Sequence, residues 1–167
     1  MDTMRAHVRC VRSSAPAAAA TGPPRSGASA RAVTKLLART RLALRRVLVA
    51  DDDAAARRLL CTLLDLREYG LLEATDGAAA IEVARSERPD LAILDLPATA
   101  SAGMGGVAVC RAIRADTELA SVKIVIISEQ DRLADRAEAH AAGADAYLAK
   151  PYSPLALLDL VQRLTRR

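Results

Sequence analysis

Four short apolar runs in this chain each end on a polar side chain able to hold a metal ion or a phosphoryl group. Val47 to Ala50 runs into Asp51, Asp52 and Asp53, and Leu91 to Leu94 runs into Asp95. Lys123 to Ile127 leads to Ser128, and Ala146 to Leu148 is followed by Lys150 and Pro151. Carboxylates, a hydroxyl and an ammonium gathered in one place suit a divalent cation beside a transferred phosphate. Magnesium keeps several waters and is usually held by one or two carboxylates plus phosphate oxygens. A carboxylate is a weak nucleophile, but in-line attack on a phosphoryl group needs mainly orientation and charge neutralisation. A competing reading of Asp51 to Asp53 is that they only cap the following helix, where side-chain oxygens satisfy free N–H groups. For Asp53 capping is a sufficient explanation.

These residues work together only if the strand ends lie side by side, and the pattern from Val47 onward provides for that. Strands and helices alternate, which argues for a parallel sheet covered on both faces. After the strand Val47 to Ala50 comes a helix from about Ala55 to Arg67, with Leu59, Leu60, Leu63 and Leu64 on one stripe. Tyr69 to Ala74 is a short strand, and Asp76-Gly77 turns into a helix carrying Ala80, Ile81 and Ala84. Leu91 to Leu94 is the third strand, followed by a helix from about Gly106 to Ala115 with Val109, Cys110 and Ile113 inward. The fourth strand, Val122 to Ile127, is apolar apart from Lys123, as a strand buried on both sides should be. A weakly anchored helix from Arg132 to Ala142 closes at Gly143. The strand Ala146 to Leu148 leads to a last helix, Pro154 to Arg166, which buries Leu157, Leu158, Val161 and Leu164. In such a sheet, ligands bind at the carboxyl ends of the strands.

Composition sets the outer limits. At 167 residues and 51% apolar content, the chain has ample material for one core. With no Trp, no Phe and three Tyr, that core must be built from Leu, Val, Ile and Ala. The net charge of +4 hides two unlike parts. Residues 1–46 carry ten Lys or Arg against one acid, whereas the remainder carries fourteen basic against nineteen acidic residues. Residues 1–46 therefore read as a disordered Ala/Arg/Pro-rich basic arm, with Val33 to Arg46 able to form a short basic helix. An organelle transit peptide and a translation start placed too far upstream are two further readings of the arm. Cys10, Cys61 and Cys110 are too widely separated for a metal-site spacing or a disulfide framework. No apolar stretch reaches the roughly 20 residues of a membrane span, so the expected compartment is the cytoplasm and no membrane partner is expected.

Over Val47 to Arg167 the order and spacing of these elements resemble a response-regulator receiver domain. The resemblance implies a doubly wound α/β fold, a five-stranded parallel sheet in the flavodoxin-like order 2-1-3-4-5 with five helices. It implies Asp95 as phosphoacceptor, and magnesium held by Asp51, Asp52, Asp95 and the backbone carbonyl of Pro97. Lys150 would neutralise a phosphoryl oxygen, Ser128 would be the switch hydroxyl, and Tyr147 the switch aromatic that turns inward when the hydroxyl moves. The implied partners are a sensor histidine kinase or a phosphotransfer protein, and a downstream protein that the sequence does not name. A stand-alone receiver in a two-component phosphorelay, without an output domain of its own, is the expected organisation.

Two departures from the family pattern stand out. Receivers usually carry a proline four residues after the acceptor and a glycine eight after it. Here Pro97 is two residues after Asp95 and Gly106 eleven after, so the loop holds about three extra residues. Glu129 follows Ser128 at a position that is usually small, and it is read as a modulator that narrows access to the acceptor. These departures favour one rival, a degenerate receiver acting as a phosphorylation-independent interaction module. Nucleic-acid binding through the basic arm is the second rival; its ten cations could neutralise several phosphates, but no aromatic platform or recognition helix accompanies them. Gly103 to Gly106 lacks the Lys-Ser/Thr ending of a P-loop, Pro97 stands where a dehalogenase-type phosphatase wants a second Asp, and His7 and His140 are far from the motifs.

Overall fold

A computed structural model describes residues 45–67, 69–97 and 103–166. The expectations for a disordered arm and for Cys10 and His7 lie outside these residues, as does the middle of the loop after Asp95. The five strands are β1 (Arg46–Asp51), β2 (Gly70–Ala74), β3 (Leu91–Asp95), β4 (Lys123–Ser128) and β5 (Ala146–Ala149). They form one parallel sheet in the order β2-β1-β3-β4-β5. The helices are α1 (Ala54–Asp65), α2 (Gly77–Glu87), α3 (Gly106–Ala115), α4 (Leu133–Ala141) and α5 (Pro154–Thr165), with a single 3-10 turn at Thr117–Leu119. The expected fold is therefore the observed one.

Side chains alternate across a strand, and the sheet divides its apolar residues accordingly. Val47, Val49, Leu91, Ile93, Val125 and Ile127 face one way and pack with Leu60, Cys61 and Leu64 of α1 and Leu157, Leu158 and Val161 of α5. Leu48, Ala50, Ala92, Leu94, Ile124 and Ile126 face the other way, against Ala80, Val83 and Ala84 of α2 and Val109, Cys110 and Ile113 of α3. Only Ala139 of α4 is buried, so a single methyl group is all the apolar core receives from that helix. Two apolar layers with so many fully buried branched side chains, each worth about 1.5–3 kcal/mol, hold the strand ends in a fixed register.

Three local expectations are corrected. Arg45 and Arg46 do not end a basic helix. Arg46 opens β1, because the Asp90 carboxylate accepts from its backbone N–H at 2.8 Å and pairs with Arg45 Nη1 at 2.8 Å. Leu59 is 62% exposed, whereas Cys61 joins Leu60 and Leu64 in the buried stripe of α1, because the inward face of a 3.6-residue period passes through Leu60, Cys61 and Leu64. On α5, Thr165 is buried beside Val161 and gives its hydroxyl to the Val161 carbonyl at 2.8 Å, while Leu164 is only partly covered.

Candidate functional site

Parallel pairing brings β1 and β3 to the same level, so that Asp51 and Asp95, each the last residue of its strand, are register partners. Both are buried, at 2% and 7% exposure, where the other buried residues among those described are almost all apolar. Asp51 Oδ1 accepts from the backbone N–H of Asp53 at 2.8 Å, whereas its Oδ2 is buried without a hydrogen-bond partner. Burial raises the Asp51 carboxyl from 3.8 to about 6, with the charges of Asp95 and Asp52 adding to it and the Asp53 N–H and Lys150 opposing. The Asp95 carboxyl is also raised by burial, which outweighs the contact with Lys150 that lowers it.

Lys150 Nζ lies 2.7 Å from Asp95 Oδ2. The contact is an ion pair by distance, although Oδ2 has no aligned hydrogen bond and keeps an open lone pair. Burial pulls the Lys150 ammonium down, but Asp95, with help from Asp51 and Glu129, outweighs it and raises the group overall. The lysine is held at the rim by its own backbone, since Lys150 N donates to Ser128 O at 2.8 Å and continues the β4–β5 ladder beyond the Ser128–Ala149 pair. A cis peptide joins Lys150 to Pro151.

The other expected residues take several positions. Asp52 is exposed at the mouth, close enough for its charge to act on Asp51 and Asp95. Asp53 caps α1, accepting from Ala55 N at 2.6 Å and Ala56 N at 3.1 Å, and these N–H groups hold its carboxyl below the usual value. Pro97 is exposed, just after Leu96, whose carbonyl accepts from Gly106 N at 3.0 Å and closes the base of the extended loop. Glu129 is exposed, yet its charge reaches Asp95 and Lys150.

Tyr147 sits in β5 opposite Ile126, two positions short of the Ser128 level, and reaches the Ser128 hydroxyl through one residue. Its hydroxyl donates to Gln130 O at 2.6 Å, and Gln130 N donates back to Ser128 Oγ at 3.2 Å. The Arg136 guanidinium lies 5.4 Å from the ring centroid and also pairs with Asp131 at 2.5 Å.

Four contributors escaped the sequence reading. Gln130 and Arg136 acquire their roles only from the fold around Tyr147. Tyr152, two residues beyond Lys150, is partly buried, and its phenol is raised by burial and then by the charge of Asp95. Arg57 donates from Nη1 to the Asp51 carbonyl at 2.7 Å and pairs through Nε with Glu73 at 3.2 Å. The available signal for Tyr152 was an aromatic in a chain with three of them; Arg57 looked like one more helix-surface cation.

Among the described residues, no three His, Cys, Asp or Glu side chains close around one point as a ready metal cage. Magnesium does not need such a cage, because one or two carboxylates suffice and water fills the remaining positions. The orphaned Asp51 Oδ2, directly across from Asp95, is the oxygen such an ion would use. A buried carboxylate pair beside one lysine is thus a donor set that suits a divalent cation and an anionic group.

The response regulator receiver domain family matches residues 47–162. This chain belongs to that family. The DNA-binding response regulator MtrA of Mycobacterium tuberculosis is 36% identical over 122 residues, which cover 73% of this chain and 51% of that protein. The probable transcriptional regulator ycf27 of Porphyridium aerugineum is 34% identical over 122 residues, covering 73% of this chain and 48% of that protein. The chain thus spans about half the length of the curated relatives it matches. Among solved structures, the chemotaxis response regulator CheY4 of Vibrio cholerae aligns with a TM-score of 0.66 and 27% identity, covering 72% of this chain and 98% of CheY4. Receiver domains are signalling modules of two-component systems, and this receiver has the same sheet order and the same five helices. No helix among the described residues is long and apolar enough to cross a membrane.

Proposed function

We propose that this receiver accepts a phosphoryl group on Asp95 from the phosphohistidine of a sensor kinase or a phosphotransfer protein, and relays the change to a downstream protein. The observation that carries this reading is Asp95 itself, buried at the end of β3, in register with Asp51 and 2.7 Å from Lys150. In the transfer, a carboxylate oxygen of Asp95 attacks phosphorus in line with the phosphohistidine P–N bond. A P–O bond forms, the P–N bond breaks, and its electron pair stays on the imidazole nitrogen. Lys150 is placed to shift from the Asp95 carboxylate to a phosphoryl oxygen, and Ser128 Oγ supplies a hydroxyl at the neighbouring strand end.

Asp51, Asp52, Asp95 and the carbonyl of Pro97 are the groups that would hold Mg2+, which when bound neutralises the incoming dianion. Ser128 Oγ can turn toward the phosphoryl group only by giving up the N–H of Gln130, and Gln130 is the residue that holds Tyr147. That sequence of contacts joins the acceptor to the α4–β5 surface.

The test is incubation of the full chain with Mg2+ and a small phosphodonor, followed by intact mass. One added phosphate on the wild type and none on Asp95→Asn is the expected result, and equal labelling of both proteins overturns the assignment. Asp52→Ala should bind Mg2+ much more weakly than the wild type. A second reading, a phosphorylation-independent interaction module, draws on Glu129 and the extended loop. It is favoured if neither Mg2+ nor phosphoryl mimics bind the wild type. The name of MtrA speaks of DNA binding; in this chain such binding would rest on the basic arm, residues 1–46, and salt-dependent retention on DNA tests it.

A further inference from the structure

Three acidic side chains held near one another at the strand ends repel, and the turn that carries two of them must be fixed from outside. The turn Asp51–Asp53 is tied at three points. Asp53 N donates to Asp51 Oδ1 at 2.8 Å, and Asp53 Oδ1 takes the free N–H groups of α1. Both of these ties are local, made within the turn or to the helix it begins. The third is different. Arg57, from the first turns of α1, reaches back with Nη1 to the Asp51 carbonyl at 2.7 Å, while its Nε is held at 3.2 Å by Glu73 of β2.

The pair is well covered, with side-chain exposures of 13% for Arg57 and 20% for Glu73. Glu73 is anchored in turn by its strand, where it is the register partner of Val49. One guanidinium therefore joins three elements: α1, the end of β1 and the edge strand β2. The Asp51 carbonyl belongs to the peptide that links Asp51 to Asp52. Its direction determines how both carboxylates are presented. A planar fork is the suitable group for this, because two donors in fixed relation hold carbonyl and carboxylate together, which a lysine ammonium does not do.

We propose that Arg57, held by Glu73, is a positioning residue for Mg2+: it orients the Asp51–Asp52 peptide and so presents the acidic pair to the ion. The inference rests on the reading of Asp51, Asp52 and Asp95 as the metal site. Groups that orient metal ligands typically matter by 10- to 100-fold in affinity. Arg57 acts one step further back, on the backbone, so roughly a tenfold loss is expected when it is removed.

Charge and positioning predict opposite signs. Arg57→Ala takes away a cation and leaves Glu73 anionic, which by charge alone tightens Mg2+ binding; loss of positioning weakens it. The pair variant R57M/E73Q removes the fork without changing net charge, so any change in its affinity comes from positioning. The experiment is Mg2+ titration of the full chain by calorimetry, at a temperature where metal-free wild type and variants are all folded by circular dichroism. The rate of labelling by a small phosphodonor is then followed against Mg2+ concentration.

The expected result is binding weakened roughly tenfold in R57M/E73Q and by less in Arg57→Ala, where the lost cation offsets part of the loss, with Arg57→Lys closest to the wild type. The Mg2+ concentration for half-maximal labelling should rise by the same factor, with the maximal rate kept. Unchanged or tighter binding in R57M/E73Q overturns the proposal, as does a fall in maximal rate at an unchanged Mg2+ requirement. A wild type that neither binds Mg2+ nor takes up phosphate defeats the reading of the site itself, and that outcome is seen before any variant is compared.

Discussion

Asp51 and Asp95 end adjacent parallel strands as register partners, and burial raises both carboxyls against the opposing charge of Lys150. The arrangement is unfavourable for the metal-free protein and favourable for a cation. It makes the site a store of destabilisation that a bound cation would relieve.

The pH dependence of stability should show this directly. The Asp51 carboxyl stands at about 6 in the folded chain against an ordinary 3.8. Between these values the folded protein binds more protons than the unfolded one, so this group's contribution to stability falls as pH rises and is fully lost above about 6. Asp51→Asn should therefore stabilise the metal-free chain at pH 7 by about 1–3 kcal/mol and have little effect at pH 4. Urea unfolding in EDTA checks it. Added Mg2+ should narrow the gap at pH 7 by stabilising the wild type alone.

Glu129 should slow phosphorylation. Its charge acts on both Asp95 and Lys150 although the side chain is exposed. An exposed charge of this kind is worth about 0.2–1 kcal/mol, so Glu129→Ala should be labelled up to roughly fivefold faster by an anionic phosphodonor. The difference should shrink as salt rises, because exposed charges are screened. Identical rates at low salt would show that Glu129 has no influence on labelling.

The contacts from Ser128 through Gln130 to Tyr147 should loosen together. Tyr147→Phe removes the 2.6 Å bond to Gln130 O, at a cost of about 1 kcal/mol. Ser128→Ala removes the acceptor of the Gln130 N–H. Amide exchange at Gln130 should accelerate in both variants, while the ladder amide of Lys150, bonded to Ser128 O at 2.8 Å, stays protected. Arg136→Ala, which removes the guanidinium over the ring together with its exposed pair to Asp131, should cost less, about 0.5–1 kcal/mol.

Gly77→Ala should destabilise the chain despite alanine's better helix propensity of about 1 kcal/mol. A Cβ at Gly77 would come within 2.4 Å of Met104 O and 2.9 Å of Val109 Cγ2. The end of the extended loop thus leans on the first turn of α2, and backbone must move to admit one methyl. A net loss of roughly 1–3 kcal/mol is expected, with chemical-shift changes centred on Gly103 to Gly106. A rise in thermal midpoint would show that the loop yields freely.

The architecture was legible from periodicity because each βα unit carries its own signal. Apolar runs of strand length alternate with helical stripes, and their order leaves one sheet that covers them all. Asp51, Asp95, Ser128 and Lys150 were legible for the same reason: each ends or directly follows a strand, and parallel strands end on one side. Side-chain alliances were not. Arg57 bonds to Asp51 and Glu73, and Arg136 stacks on Tyr147, only because α1 crosses back over β1 and β2 and α4 lies beside β5. On a helix wheel each of these arginines reads as a solvated charge. Leu59 and Cys61 show the same limit on a finer scale, since a shift of the inward face by part of a turn exposes the leucine and buries the thiol. Periodicity records which element a residue occupies and which way a strand alternates; the angle at which a helix lies on its sheet, and hence which polar groups meet across elements, is decided by three-dimensional packing alone.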